Sequence, residues 1–256
     1  MRANFQKESF NEKSYNRIFQ GLSFKEIDLE SEKVKEIVEV EKIENYKLPL
    51  LMFLLEDNTL LHIEIMNEEI KPDYPGMFAY DMSIVLRYGF KVRTVILNFG
   101  IRQDGKIIRN FGSICYEVQI VDLSGIDGDK VYEELSQKIT LGNLLNERDK
   151  LSLVFFPFMK DSLSFSEAFK KVMLLLESMK DEEEQMAYVA VISEIISRST
   201  GDQGVKVLKE CLMDTEVGIR IRDEGKKEGM RESIMVMLLE KFNVLPDDIY
   251  YAIAKQ

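Results

Sequence analysis

The chain has little cysteine. Only Cys115 and Cys211 occur in 256 residues. Neither belongs to a CxxC pair or lies near His62, so a disulfide scaffold is excluded and a zinc site is not expected. Long apolar runs are missing too. A membrane-spanning helix needs about 20 apolar residues. The best candidate, LPLLMFLLEDNTLLHIEIM, is broken by Pro49 and by Glu56-Asp57-Asn58. The opening MRANFQKESFNEKSY holds no apolar segment of the kind a secretory signal requires. These absences point to a cytoplasmic protein with no membrane contact.

Positive charge is also short. Lys and Arg number 34 against 45 Asp and Glu, a net charge of −11. A chain that coats nucleic acid through its phosphates is usually basic, so the overall balance argues against that role. The shortage is uneven, however. Residues 87 to 109 carry Arg87, Lys91, Arg93, Arg102, Lys106 and Arg109 against the single acid Asp104, a local balance of +5. Such a stretch is either a solvated hairpin or a local phosphate-facing patch on an acidic body.

What is present is an ordinary globular composition, 45% apolar and 31% charged, in a length that suits one large domain or two small ones. FNEKSYNRIFQ can form a short helix. VKEIVEVEKI alternates in a way that fits strand or helix. LPLLMFLLE and TLLHIEIM flank Asp57-Asn58, a dipeptide suited to a tight hairpin turn. YPGMFAYDMSIVLRYG opens on Pro75 and closes on Gly89, the punctuation of a helix. Met77, Tyr80, Ile84, Leu86 and Tyr88 would leave most of it buried. VRTVILNFG is a nearly unbroken β-branched run, as in a strand covered on both faces. DGKIIRNFG reads as a turn with an irregular excursion. ICYEVQIVDL alternates as a half-buried strand.

The first half is therefore an α/β or α+β layer fold. A core over 1–125 is followed by a loop-rich connection over 126–164. A mainly helical region spans 165–256, where Phe165, Phe169, Met173 and Leu176 make an apolar stripe. EEQMAYVAVISEIISRS and GVKVLKECL read as two further helices.

Within TLLHIEIM, Glu64 is the unusual residue. A carboxylate in so apolar a strand is expensive to bury without a partner. Residues two apart share a face, so Leu60, His62, Glu64 and Met66 lie together. A strand Glu with a second carboxylate on the neighbouring strand is the usual minimum for Mg²⁺. A two-residue loop at Asp57-Asn58 would set Glu64 opposite Leu51, and a shifted loop opposite Leu50 or Met52. All three are apolar. Asp57 lies about 20 Å along the strand from Glu64.

The hairpin, the helix GMFAYDMSIVLRYG, the strand VRTVILNFG and the later FGSICYEVQIVDL together resemble the recombination-promoting nuclease family, also catalogued as transposases, of the PD-(D/E)XK nuclease superfamily. EGKKEGMRESIMVMLLEKFNVLPDDI is similar to that family's C-terminal ending, while 124–220 matches only loosely. The resemblance implies a restriction-endonuclease-like αβββαβ core with a mixed sheet. It also implies Mg²⁺-dependent cleavage of DNA and, by analogy, a homodimer. In the family pattern an Asp on the first hairpin strand and a Glu on the second hold the metal. A Lys or Gln two residues after the Glu positions the attacking water.

Glu64 matches the Glu and becomes the candidate catalytic and metal-ligating residue. The Asp position falls on Leu50 and the Lys/Gln position on Met66. The N-terminal Asp-x-x-Phe-Lys segment reads NRIFQ, with Asn16 and Gln20. Leucine cannot ligate magnesium, and a thioether is a poor ligand for a hard cation. Three readings follow. The chain is a nuclease-like protein whose catalysis is impaired and which serves binding or assembly. Alternatively it is an active endonuclease with a second carboxylate supplied by Asp57, Asp73 or Asp81. Or Glu64 only pairs with a Lys, an Arg or His62 at the edge of a packed sheet.

Overall fold

The computed structural model describes residues 10–27, 29, 32–38, 50–66, 70–100, 103, 105–159, 164–213, 215, 218–220 and 222–223. The chain divides into two compact units, residues 1–209 and 210–256. The second is described only at a few helical residues, and its expected helices beyond 223 lie outside the described residues.

The first unit is mixed α/β. Among its described residues the strands are β1 (Val34–Ile37), β2 (Leu51–Leu55), β3 (Thr59–Met66), β4 (Lys91–Asn98), β5 (Gly105–Asn110) and β6 (Cys115–Asp122). They form one sheet in the order β1-β2-β3-β4-β6-β5. β1, β2 and β3 are an antiparallel meander, and β4 runs parallel to both β3 and β6. β5 returns antiparallel on the edge. The ambiguous VKEI segment is thus a strand. Helix α1 (Phe10–Phe19) fixes it, because Asn16 Oδ1 accepts the Ile37 N–H at 2.9 Å.

The β2–β3 turn sets the register of the site. It holds three residues, not two. The Asn58 N–H donates to the Leu55 carbonyl at 3.0 Å, and Asn58 adopts φ 64°, a left-handed conformation that Asn tolerates. Asp57 accepts the Thr59 N–H at 2.9 Å. The extra residue shifts the pairing by one, to Leu54↔Leu60, Met52↔His62 and Leu51↔Ile63. The next residue, Leu50, comes opposite Glu64.

Helix α2 (Tyr74–Tyr88) crosses over from β3 to β4. Asp73 caps it, and Gly89 ends it at φ 72° with its N–H on the Val85 carbonyl. Met77, Tyr80, Asp81 and Ile84 are its buried stripe. Leu86 is 80% exposed and Tyr88 36%, contrary to the sequence expectation. Leu86 falls outside the i, i+3, i+4, i+7 positions that face the sheet, and Tyr88, though in line with Ile84, is the last residue of the helix. Tyr80 and Ile84 join Met52, Leu54 and Leu60, while Met77 joins Ile96, Val118 and Ile120. On the opposite face, Phe53 meets Phe19 of α1 at 4.9 Å and Phe24 at 5.7 Å.

Three further expectations change. GKIIRN is an edge strand rather than an irregular excursion, and only Ile107 is even partly buried, so the alternation that would mark it is missing. The segment read as a loop-rich connection holds α3 (Gly128–Thr140) and α4 (Glu147–Phe155). Asp127 caps the first, and Asn146 and Asp149 form a capping box on the second. After α5 (Phe165–Glu177), whose Phe169, Met173 and Leu176 are buried, α6 (Glu182–Met213) runs as one helix through Gly201 and Gly204. A helical glycine costs only about 1 kcal/mol against alanine, so two do not split it.

Phe53 is fully buried at the join of sheet and α1. Phe53→Ala is expected to lower stability by about 3–5 kcal/mol, read as a reduced denaturation midpoint in urea.

Candidate functional site

The α2-facing side of β3 carries His62 and Glu64 two residues apart. The parallel register places Thr94 of β4 beside His62. α2 lies across this face and lowers Asp81 onto the imidazole. His62 Nδ1 stands 2.6 Å from Asp81 Oδ1, and His62 Nε2 stands 3.2 Å from Glu64 Oε1. Asp81 Oδ2 accepts from the Thr94 hydroxyl and, at 2.6 Å, from the Tyr116 hydroxyl of β6. Glu64 Oε1 also accepts the Leu50 backbone N–H at 3.1 Å. The result is one largely buried polar chain from Leu50, just before β2, through β3 and α2 to β4 and β6.

His62 is 1% exposed, Asp81 4% and Thr94 4%. The Glu64 side chain keeps 16%. Both ring nitrogens of His62 face carboxylate oxygens, and a protonated ring would donate to both. Burial alone would favour the neutral ring. The charge and hydrogen bond of Asp81, reinforced by Glu64, outweigh it, and the His62 pKa is pushed up to about 10. Burial and the neighbouring Asp81 charge also push the Tyr116 phenol upward. Tyr116 therefore keeps the proton it donates.

The other residues singled out in the sequence are accounted for separately. Leu50 is buried and offers Glu64 only its backbone N–H. Met66 packs against the Met77, Ile96, Val118 and Ile120 cluster. Asp57 is used within its turn, and Asp73 Oδ1 accepts the Gly76 N–H at 3.1 Å. Of the three remote carboxylates, Asp81 alone reaches the site, and it meets His62, whose ring stands between it and Glu64.

The basic stretch does not form one stripe. Arg87 lies over the Tyr88 ring at 5.9 Å, and Lys91 begins β4. Arg93 alternates with Thr94 and so faces away from α2, where it donates to Gln119 Oε1 at 2.6 Å. Lys106 pairs with Glu117 at 2.6 Å, and Arg109 sits over the Tyr74 ring at 4.8 Å. Arg102 lies outside the described residues.

The donor set fits Mg²⁺ poorly. That ion takes carboxylates, waters and phosphate oxygens in octahedral array. Here Glu64 faces an apolar side chain, and two N–H donors converge on one of its oxygens. Among the described residues, no group of three His, Cys, Asp or Glu is arranged to hold an ion. Comparison with protein-family models, curated proteins and solved structures returns no match.

Thr94 and Tyr116 were not singled out from the sequence, and Asp81 was named only as a remote second carboxylate, not as the partner of His62. Asp81 carried a signal, because it occupies a core position of the α2 stripe between Met77 and Ile84. A carboxylate there implies a buried partner.

Asp81→Ala strands the His62 charge and is expected to cost about 3–5 kcal/mol in urea denaturation. The His62 bridge also sets a pH dependence. A raised folded pKa means its stabilisation is complete below the ordinary imidazole value of 6.5 and lost as pH rises through about 10. The melting temperature should fall across that window, and the slope should flatten in Asp81→Asn.

Proposed function

We propose that the chain is a nuclease-like protein of the recombination-promoting family type. Its core is the restriction-endonuclease-like αβββαβ unit, and its metal-dependent chemistry is impaired. The element order supports the core reading. α1, β1, β2, β3, α2 and β4 follow one another, with an antiparallel meander leading into a parallel crossover. Glu64 lies on the third strand, where that pattern sets its glutamate.

The observation that carries the reading is the contact opposite Glu64. A second carboxylate on β2 would complete a clamp for a cation, which would lower the pKa of a bound water and stabilise charge on a phosphate. The group met there is the backbone N–H of Leu50. An N–H repels a cation, and the isobutyl side chain offers no lone pair. Met66 likewise cannot hold or activate water as Lys or Gln would. Under this reading DNA and a second copy of the chain remain the candidate partners. Arg87, Lys91, Arg93, Arg102, Lys106 and Arg109 are then the candidate phosphate contacts.

A plasmid-nicking assay with Mg²⁺ or Mn²⁺ tests the proposal. Wild type and Glu64→Ala should both leave supercoiled DNA intact. Cleavage by wild type that disappears in Glu64→Ala would overturn it in favour of an active endonuclease. Leu50→Asp and Met66→Lys, with His62→Ala to free the Glu64 oxygen that the ring occupies, should gain metal-dependent nicking. A folded triple variant without cleavage would count against nuclease descent.

A further inference from the structure

We propose that the outer edge of β5 is a docking strand for a second copy of this chain. The two copies pair antiparallel about a two-fold axis at Ile108, and the sheet continues from one into the other. The inference goes beyond the reading above and does not depend on it, because it concerns the sheet edge and not Glu64.

Hydrogen-bond parity identifies the open groups. Facing residues of an antiparallel ladder alternate between pairs that exchange backbone hydrogen bonds and pairs that do not. The Phe111 N–H donates to the Ile114 carbonyl at 2.8 Å. Counted back along the β5–β6 register, Arg109 bonds toward Tyr116 and Ile107 toward Val118. Lys106, Ile108 and Asn110 therefore turn their N–H and C=O groups outward. β5 ends the sheet, and among the described residues no hydrogen bond meets those outward groups. The opposite edge differs. On β1 the Val34 N–H donates to the Leu22 carbonyl, the Val34 carbonyl accepts from Gly21, and Asn16 Oδ1 accepts the Ile37 N–H.

Lysines and other charges commonly guard an edge strand against pairing. Here both cations of β5 are drawn back onto their own subunit. Lys106 pairs with Glu117 at 2.6 Å, and Arg109 lies over the Tyr74 ring at 4.8 Å. The edge is left with apolar side chains in solvent, Ile108 at 58% exposure and Phe111 at 43%.

Parity and charge together select the occupant and its register. Outward groups must meet outward groups. An axis midway between Ile107 and Ile108 would break that rule, and it would also oppose Lys106 to Arg109 of the second copy. An axis at Ile108 satisfies both conditions. Ile108 then faces Ile108 of the second copy, Lys106 faces Asn110, and Arg109 faces Ile107. All three outward residues exchange bonds, roughly six in total, and no like charges stand opposed. Gly105 faces Phe111 of the second copy, whose ring covers the place a glycine leaves bare. The strand complements itself, which favours a second copy over an unrelated peptide. One strand pair is small for an interface, so the dimer is weak and concentration-dependent.

Sedimentation velocity at about 10 µM and about 500 µM tests the proposal, with a shift from monomer to dimer expected. Hydrogen exchange at the same concentrations should protect the Ile107 and Arg109 amides throughout, and those of Lys106, Ile108 and Asn110 only in the dimer. Ile108→Lys sets like charges on the axis and should weaken association by at least about tenfold. Cys115 is exposed and Cys211 buried, so cross-linking is read in a Cys115→Ser background. There Ile108→Cys should form an intermolecular disulfide, since facing residues of a bonded pair stand about 5.5 Å apart at Cα. Ile114→Cys should not.

A chain that stays monomeric at both concentrations overturns the proposal and leaves the edge to a partner of different sequence. A dimer whose Lys106, Ile108 and Asn110 amides exchange freely also overturns it, as does one that Ile108→Lys leaves intact. The two proposals fail separately. DNA cleavage sinks the impaired-nuclease reading and leaves the edge untouched, and a monomer does the reverse.

Discussion

The contact between His62 and Asp81 ties the two layers of the site together. α2 reaches the sheet mostly through apolar side chains, and apolar contacts are not directional. The 2.6 Å hydrogen bond is directional. It pins one point of the helix over one point of β3, and the hydroxyls of Thr94 and Tyr116 pin the same carboxylate to β4 and β6. A helix sliding on Met52, Leu60 and Ile96 would lose little dispersion energy, but it would strand a buried carboxylate. The polar chain therefore sets where α2 sits, while the surrounding core supplies most of the adhesion.

The same constraint runs back to a turn at the protein's surface. Asn58 in its left-handed conformation adds the third loop residue that pairs Met52 with His62. With a two-residue loop, Leu51 would stand opposite Glu64, and every β2 side chain would change faces relative to β3. Phe53 would then leave the aromatic cluster of Phe19 and Phe24. The hairpin register, the aromatic core and the environment of Glu64 are thus one decision, made where a single residue tolerates positive φ.

Much of this fold was legible in the sequence. The limits of α2 were written in Pro75 and Gly89, and β4 in its β-branched run. β5 was not legible, because an edge strand that covers only Ile107 shows no hydrophobic period. α3 and α4 were hidden because their caps, Asp127 and Asn146, lie in a segment whose apolar residues cluster at one end. Glu64 stood out through its cost in an apolar strand. Its neighbour His62 could be named, but not the state of its ring, which depends on Asp81 from 19 residues away. Sequence spacing carries contacts within one element. Contacts between a strand and the helix that covers it need the crossing angle, which no local pattern encodes.

The energetics of such a bridge also explain why it would persist without catalytic use. Replacing a buried ionic cluster wholesale by well-packed apolar residues is often neutral or stabilising, whereas removing one member leaves an unpaired buried charge. Here the members sit on four different elements, so no single substitution reaches the apolar alternative. His62 without Asp81 is a stranded cation, and Asp81 without His62 is a carboxylate held only by hydroxyls. Each residue is retained by the others, and Glu64 by its ring contact and the Leu50 N–H. Glu64, a carboxylate that stands out in an apolar strand, is on these distances an acceptor in the bridge that joins sheet to helix.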